Sequence, residues 1–335
     1  MNFYKVPLTA LIQVVRLKNK LGTRQLPTAE LLLDGVSARL VGEAGRGVAA
    51  ISTMLSITRL HNTASAVGFS RKMLSLARDY ATRRAAFGTS ISSHPLHLQT
   101  LARMEVEVRG CCALFLDLAH KLGCEELGAI SDEDLLLLRL LGPVAKMYTA
   151  KSAVAVTSEG LECFGGQGYI EDTGLPSLLR DAQVLPIWEG TSSINSLDTV
   201  RAIHKTGGAA LAAMLARVER AAAGAGPLAD TGAEVARAGR QLVAAVRTHQ
   251  DQLQHVARDL TTSLAHVYIA ALLLEHAAAT REPGDVLTCA RWVSSRQLLT
   301  LAPGEQYSRA AQAQEEDLVY QNYSQENTWK STFVR

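Results

Sequence analysis

The chain has 335 residues, of which 47% are hydrophobic and 20% are charged, and this composition excludes a chain that is disordered throughout. The formal net charge is +2, so the charge does not require a nucleic-acid or membrane partner, and no uninterrupted apolar run reaches the ~18–20 residues of a membrane span. The five cysteines contain no CxxC pair, so the sequence predicts no metal site and favours a reduced, intracellular setting.

Residues 1–40 predict a short β segment ahead of the helices. Residues 12–15 and 30–33 are typical of strands, and a turn region around Gly22 and Pro27 separates them. Since two strands are not stable alone, they either pack against the helical body or belong to a larger β region. All charged residues before Glu30 are basic, which is compatible with a mitochondrial transit peptide or with a basic strand and turn.

Residues 41–206 predict an antiparallel bundle of helices. Apolar residues recur at helical spacing over four long segments that short connections join, at 47–82, 96–123, 133–164 and 189–206. The fold class is therefore mainly α, with a four-helix bundle behind the short β segment.

Residues 207–314 predict an additional helical region beyond the bundle. Within it, one long helix is expected over 232–280 and another over 285–302, because Pro283 and Gly284 end the first. Residues 315–335 predict a loose polar tail.

The first segment with a chemical pattern closes the first long helix, at residues 80–88. Arg84 lies one turn before Phe87 and Gly88, so its guanidinium group could hold a phosphate while the phenyl ring stacks on a heterocycle. The pattern is also that of a basic helix C-terminus followed by a glycine cap. The residues alone favour the second interpretation.

The second segment, at residues 164–169, contains three glycines directly after a predicted helix. Gly165 and Gly166 allow a ligand to approach the backbone closely and offer N–H donors to a phosphate. A helix precedes them rather than a strand, so they do not form a dinucleotide-binding fingerprint, and a plain helix-ending turn explains them equally well.

The third segment places Glu189 after an apolar run, at the start of a predicted helix. Apolar neighbours raise the pKa of such a carboxyl group and a helix N-terminus lowers it, so its pKa can be tuned for work as a general base. The residues alone favour the alternative of an ordinary acidic residue that the helix dipole stabilises.

Together and in this order, the three segments resemble the C-terminal part of the acyl-CoA dehydrogenase family. The similarity covers about residues 12–206, while residues 94–104 and the helices after 206 resemble the AidB-like branch. The resemblance implies the family's helical fold and the FAD-dependent α,β-dehydrogenation of an acyl-CoA thioester, with electron-transfer flavoprotein or another acceptor as partner. It also suggests a mitochondrial setting by analogy with fatty-acid metabolism.

Two residues acquire catalytic roles from the resemblance. Glu189 would be the base that removes the α-proton of the thioester while the β-hydride passes to the flavin. Arg59 matches the family's arginine in the first bundle helix and would bias the ionisation of that carboxylate. Without the resemblance, Arg59 would be a surface helix arginine.

The resemblance also implies how the chain would hold FAD. Arg84 and Phe87 match positions that bind the adenine and pyrophosphate end across a subunit interface, and Gly165 and Gly166 match a further contact. Thr191 matches a hydroxyl that hydrogen-bonds the phosphate arm of the flavin. The implied assembly is a homodimer or a homotetramer.

Some features depart from the family pattern. Glu162 occupies a cofactor-site position where many members have glutamine, and a carboxylate is unfavourable beside a phosphate. Ser193 also replaces a usual glutamine. The family's N-terminal helical domain and most of its β domain have no counterpart, so we expect a truncated form with half of the flavin site, in which activity is not assumed.

Two other functions stay open. Arg240, Arg247 and Arg258 fall within ~20° of one another on a helical wheel, and such a stripe would suit duplex DNA, as the AidB-like branch suggests. Neighbouring Asp251 and Asp259 make an ion-paired, solvated face the simpler explanation, so DNA is not the favoured partner. The chain could also be a non-catalytic helical interaction module.

Overall fold

The computed structural model describes residues 11–248, 250–301 and 309–320. Most of the described chain is helical, with two short pairs of strands, so the predicted fold class is confirmed. The beginning of the predicted basic leader and residues 321–335 of the predicted tail lie outside the described residues.

The two predicted strands form an antiparallel pair, β1 (Ile12–Leu17) and β2 (Ala29–Leu33). Large apolar side chains on both strands are exposed to solvent, among them Val14, Val15, Leu31, Leu32 and Leu33. The loop between the strands is anchored instead, because the Thr23 N–H donates a 2.6 Å hydrogen bond to the Asp181 carboxylate. This exposure favours the interpretation in which the strands belong to a larger β region.

Basic residues of the N-terminal segment take part in this strand pair. Arg16 and Lys18 both form ion pairs with Glu30 on the opposite strand. Lys20 donates hydrogen bonds to the Leu26 carbonyl and the Thr28 hydroxyl in the connecting loop. Arg16, Lys18 and Lys20 are therefore part of a folded strand pair and its connecting loop.

The predicted four-helix bundle is confirmed. Its long helices are α1 (Gly47–Arg83), α2 (Pro95–Glu126), α3 (Asp132–Glu162) and, after the short α4 (Leu175–Ala182), α5 (Ser192–Lys205). Side-chain caps start two of them: the Ser131 hydroxyl accepts from the Asp134 N–H, and the Thr191 hydroxyl accepts from the Ile194 N–H. The sequence did not predict α4, and α5 begins at Ser192 rather than at Glu189.

The additional region contains α6 (Ala209–Ala223), α7 (Ala229–Thr248), α8 (Ala257–Thr280), α9 (Pro283–Ser294) and α10 (Arg309–Tyr320). The prediction of a single helix over 232–280 is wrong, because α7 ends at Thr248 and α8 begins at Ala257. Leu253 and Val256 in the connection are buried like the helix residues around them, so apolar spacing alone does not reveal the break.

The predicted arginine stripe is divided between two helices. Arg240 lies on α7 and Arg258 on α8, so the predicted arginine stripe is not one continuous helix face. Arg240 is moreover paired with Glu219 at 3.2 Å.

The last predicted helix ends at Ser294 rather than 302, and α10 covers the first part of the predicted loose tail.

Bundle and additional region share one hydrophobic core, centred on α8. By length and composition, α8 is apolar enough to cross a membrane, but 67% of its most apolar window is buried inside the protein. Trp292 of α9 is fully buried in the same core, where its ring fills the space beside Gly110 of α2. The Arg296 guanidinium stacks on the Trp292 ring and donates to Glu107 of α2, so α9 is fixed directly to the bundle.

Candidate functional site

Glu189 lies on a turn near the end of the connection between α4 and α5. Both Glu189 and Gly190 have left-handed backbone torsions, with φ of 55° and 94°. Such a torsion is strained for a residue with a side chain, so the surroundings must hold it. The half-buried Glu189 carboxylate accepts a 2.6 Å hydrogen bond from the Thr58 hydroxyl of α1. Thr191, not Glu189, caps α5, so the description as an ordinary acidic residue of the first helical turn does not fit.

Two buried side chains hold this turn through the Gly190 carbonyl. The Lys146 ammonium of α3 donates a hydrogen bond to it, and the Asn195 amide of α5 donates another at 2.7 Å. Both residues are fully buried. Burial, as the larger cause, and the Arg59 cation lower the pKa of Lys146 to about 8, although the Glu189 carboxylate acts in the opposite direction.

Sequence reasoning did not identify Lys146 or Asn195. A signal was present for Lys146, since it is the only charged residue in residues 140–150, between leucines and small residues that pack in the core. A charged group in such a stretch is rarely buried unless it has a polar partner. Asn195 gave no comparable signal, because asparagine near a helix start has many ordinary roles.

Arg59 is not the surface residue of the alternative interpretation, because its side chain is only 16% exposed. Its guanidinium group forms a 2.6 Å ion pair with Asp198 of α5. Among the described residues, Thr58 rather than Arg59 donates a hydrogen bond to the Glu189 carboxylate, while Asp198 neutralises Arg59. An influence of Arg59 on the ionisation of Glu189 stays a prediction.

Asp198 is the centre of a cationic cluster. Besides Arg59, it pairs with Arg139 at 2.9 Å and with Arg201 at 3.3 Å. Burial by itself raises the pKa of Asp198, but hydrogen bonds from Arg139 and Arg59 outweigh it and hold that pKa below its usual value. Three guanidinium groups around one carboxylate leave the cluster with a net positive charge.

This cluster forms one wall of a cleft of about 1350 Å³ between α1, the end of α2, the start of α3 and α5. The remaining lining combines polar residues, among them Glu125 and Glu126, with a set of aliphatic side chains that includes Leu55, Leu60, Leu118, Leu122, Leu135 and Leu138. Lys205 adds a further cation. Glu189 does not itself line the cleft, but its partner Thr58 precedes the lining residue Arg59 on α1. A cleft of this kind suits a ligand with an apolar part and an anionic part.

The predicted arginine–phenylalanine segment forms a β-hairpin. Arg84 caps the end of α1 and is exposed, and strands β3 (Ala85–Ala86) and β4 (Thr89–Ser90) follow. Phe87 and Gly88 form the tip with φ of 51° and 85°, the torsions of a type I′ turn. Phe87 is 97% exposed, and its ring meets the His94 ring edge to face at a centroid distance of 6.0 Å.

A second cavity, of about 390 Å³, lies between this hairpin and the end of α3. Phe87 and Glu162 both line it. Gly165 and Gly166 follow α3 in a short 3-10 helix, and nothing lies within 4 Å of where a β-carbon would stand at either glycine. The predicted cofactor residues therefore fall into two groups. The first contains Arg84, Phe87, Glu162 and the two glycines, around the hairpin and the end of α3, and the second is Thr191 beside Glu189 at the start of α5.

Other chemistry is not supported by the described part of the chain. No cluster of three or more metal-ligating side chains occurs among its residues. None of the five cysteines forms a disulfide, and burial raises the pKa of Cys163 to about 11, so this thiol is not an activated nucleophile.

Comparison with known proteins agrees with this architecture. Residues 45–204 match the family described as acyl-CoA dehydrogenase, C-terminal domain, and residues 209–320 match the acyl-CoA dehydrogenase 11 C-terminal domain-like family. Acyl-CoA dehydrogenase family member 11 of Caenorhabditis elegans is 44% identical over 93% of this chain, which covers 52% of that protein. The putative acyl-CoA dehydrogenase AidB of Escherichia coli is 30% identical over 76% of this chain and 44% of its own length.

A solved structure extends the comparison to three dimensions. The crystal structure of Caenorhabditis elegans ACDH-11 in complex with C11-CoA superimposes with a TM-score of 0.90 at 43% identity, over 94% of this chain and 55% of that one. This chain thus spans about half the length of the curated relatives that it matches.

Proposed function

This chain belongs to the acyl-CoA dehydrogenase family, of which it contains the C-terminal part, and on that premise we propose that it serves the FAD-dependent α,β-dehydrogenation of an acyl-CoA thioester. The observation that carries the proposal is the carboxylate of Glu189, held on a strained turn by Thr58, whose neighbour on α1, Arg59, lines the cationic cleft. Carboxylates fixed in this way are suited to proton abstraction.

The cleft supports an acyl-CoA as substrate. Its aliphatic wall suits an acyl or pantetheine chain, and its arginines and Lys205 suit the phosphates of the CoA part. A relative with the same C-terminal fold has been crystallised with C11-CoA. The length of the acyl chain is left open in the proposal.

The cavity beneath Phe87 supports FAD as the cofactor. The exposed phenyl ring offers a stacking surface, and the open backbone at Gly165 and Gly166 allows a phosphate to approach N–H groups. Glu162 fits less well, because its carboxylate would repel a phosphate in the same cavity. When bound, FAD supplies the acceptor for the β-hydrogen of the thioester, which leaves its carbon as a hydride.

Glu189 takes the other hydrogen. The α-carbon gives its proton to the Glu189 carboxylate, and the electron pair of that C–H bond becomes the second bond between the α- and β-carbons as the hydride departs. Thr58 fixes the carboxylate during this transfer, and Lys146 and Asn195 keep the turn in place.

Assembly and electron transfer complete the proposal. One group of cofactor residues lies around the hairpin and the end of α3, and Thr191 lies at the start of α5. The almost fully exposed ring of Phe87 suits a hairpin that reaches a neighbouring subunit. We propose a homodimer or homotetramer that passes its electrons to electron-transfer flavoprotein or a similar acceptor. Size-exclusion chromatography with light scattering tests the assembly.

The main test is anaerobic reduction of FAD. The chain is reconstituted with FAD and mixed with a straight-chain acyl-CoA, and the loss of oxidised flavin absorbance is followed. We expect reduction by the wild-type chain and a rate ~10²–10⁴-fold lower in Glu189→Gln, because the variant lacks a base. Glu234→Gln on the exposed face of α7 is the matched control and reduces at the wild-type rate. Bound flavin that no acyl-CoA reduces would favour the non-catalytic interaction module.

Two binding measurements separate the parts of the site. Calorimetry with the acyl-CoA is expected to show weaker binding to Lys205→Gln and unchanged binding to Lys151→Gln, which lies on the exposed side of α3 outside the cleft. Glu162→Gln is expected to retain more FAD after gel filtration, because the repulsive carboxylate is removed. Equal FAD retention would place Glu162 outside the cofactor site.

A further inference from the structure

We propose that Lys146 is a positioning residue that holds the Glu189–Gly190 turn, and that the conformation of this turn depends on the protonation of the Lys146 amino group. The inference rests on the proposed function, in which Glu189 is the base. Lys146 does not touch the reacting atoms in this scheme and acts through the backbone that carries Glu189.

The contact geometry places Lys146 at the centre of the turn. Lys146 reaches from the middle of α3, is fully buried, and donates to the Gly190 carbonyl. That carbonyl is its only hydrogen-bond acceptor among the described residues. The peptide that contains this oxygen joins the Glu189 side of the turn to Thr191, the cap of α5. A shift of the carbonyl therefore moves the residue that carries the base.

The turn needs such support because both of its central residues have left-handed torsions. Glu189 has a side chain at a φ of 55°, a conformation that persists only when the neighbouring structure fixes it. Asn195 supplies a second donor to the same carbonyl, but its amide is neutral at every pH. Lys146 supplies the only ionisable donor to this turn among the described residues, so it makes the support sensitive to pH.

The charges around Lys146 set the range of that sensitivity. Burial favours its neutral form, Arg59 on α1 repels the cation, and Glu189 on the turn attracts it. Asp198 on α5 neutralises Arg59 and moderates the repulsion. These effects bring the pKa of Lys146 to about 8, so the amino group changes its charge within the range where enzymes are assayed. The charged ammonium is the stronger donor to a carbonyl.

The test is an NMR titration of the whole chain without flavin or thioester. The backbone amides of Glu189, Gly190 and Thr191 are expected to shift together with pH, with a midpoint close to the pKa of Lys146, about 8. In Lys146→Met, which keeps the length of the side chain but not its charge, the step disappears. A step that persists in this variant would overturn the proposal.

Lys121→Met is the matched control. Lys121 is also a buried lysine, but it lies on α2 and pairs with Asp117 and Asp134. Its replacement also removes a buried cation, but the pH-dependent shift of the Glu189, Gly190 and Thr191 amides should be unchanged. Loss of the step in both variants would show a general effect of destabilisation and would also overturn the proposal.

A second variant keeps the test decisive should Lys146→Met fail to fold. Glu189→Gln removes the carboxylate that raises the pKa of Lys146, so the midpoint seen at Gly190 and Thr191 should move to lower pH. An unchanged midpoint would refute the link. The titration needs no substrate, so it tests Lys146 independently of catalysis. If the turn shows the Lys146-dependent step but the chain does not dehydrogenate an acyl-CoA, the proposed function is refuted and the link between Lys146 and the turn stands.

Discussion

The Thr58 hydroxyl donates a 2.6 Å hydrogen bond to the Glu189 carboxylate and so joins the first helix of the bundle to the turn before the last. We expect Thr58→Val to lower the free energy of unfolding by ~1.5 kcal/mol or more, because the carboxylate loses a donor and hydrogen bonds to charged groups are worth ~1.5–3 kcal/mol. Thr63→Val is the control, since that hydroxyl bonds only to a carbonyl of its own helix. Urea denaturation measures both variants, and equal losses would count against a special role for Thr58.

The cationic cluster predicts a large effect at Asp198. Its carboxylate serves Arg59, Arg139 and Arg201, so Asp198→Asn leaves three guanidinium groups without their counter-charge. We expect a loss of ~3 kcal/mol or more in unfolding free energy, as for other buried pairs that lose one partner. Asp79→Asn, which breaks an exposed pair with Arg83, should cost less than ~1 kcal/mol. Similar losses in the two variants would contradict the buried network.

The glycine turn after α3 offers a pair of matched substitutions. A β-carbon at Gly168 would collide with the backbone carbonyl of Leu161, whereas the same position at Gly166 is open. Gly168→Ala should therefore destabilise the chain by ~2 kcal/mol or more. Gly166→Ala should leave thermal stability nearly unchanged while weakening FAD retention, because the added methyl group blocks access to the backbone. A stable Gly168→Ala chain would show that the turn does not pack as described.

Acid sensitivity is expected from His266. Burial, together with the nearby Arg296 cation, lowers the pKa of His266 from 6.5 to about 4. Between these two values the unfolded chain binds a proton that the folded chain does not, so stability falls as the pH is lowered from 6.5 to about 4. The loss is at most ~3.5 kcal/mol, since one pKa unit corresponds to ~1.4 kcal/mol, and partial exposure of the ring reduces it.

The comparison that isolates this effect uses His266→Gln. The variant should lack the part of the pH dependence that His266 causes, whereas His276→Gln, at an exposed histidine beside Asp285, should keep it. Chemical denaturation at several pH values measures the difference. Identical pH profiles for wild type and His266→Gln would refute the assignment.

Local sequence patterns were sufficient to predict the main helices of the bundle and the family. Apolar spacing predicted the positions of α1, α2 and α3 within a few residues, and the order of three short segments predicted the family. The role of Glu189 stays a prediction. Apolar spacing did not predict the break between α7 and α8. Leu253 and Val256 lie in this connection, outside any α-helix, but they are buried like helix residues and continue the apolar pattern.

Long-range contacts were beyond the sequence. Nothing local indicates that Asp198 is the partner of Arg59, since 139 residues separate them and the contact depends on how α1 and α5 pack. The same holds for Lys146 and the Gly190 carbonyl, which are 44 residues apart. The residues that surround the predicted base could therefore be identified only from the folded chain.

Proton exchange at the substrate tests the role of Glu189 most directly. The FAD-loaded chain is incubated with a straight-chain acyl-CoA in D₂O, and mass spectrometry follows deuterium at the α-carbon of the recovered thioester. The wild-type chain is predicted to exchange this proton, and Glu189→Gln to do so ~10²–10⁴-fold more slowly. Exchange at the same rate in both chains, or none in the wild type, would contradict Glu189 as the base.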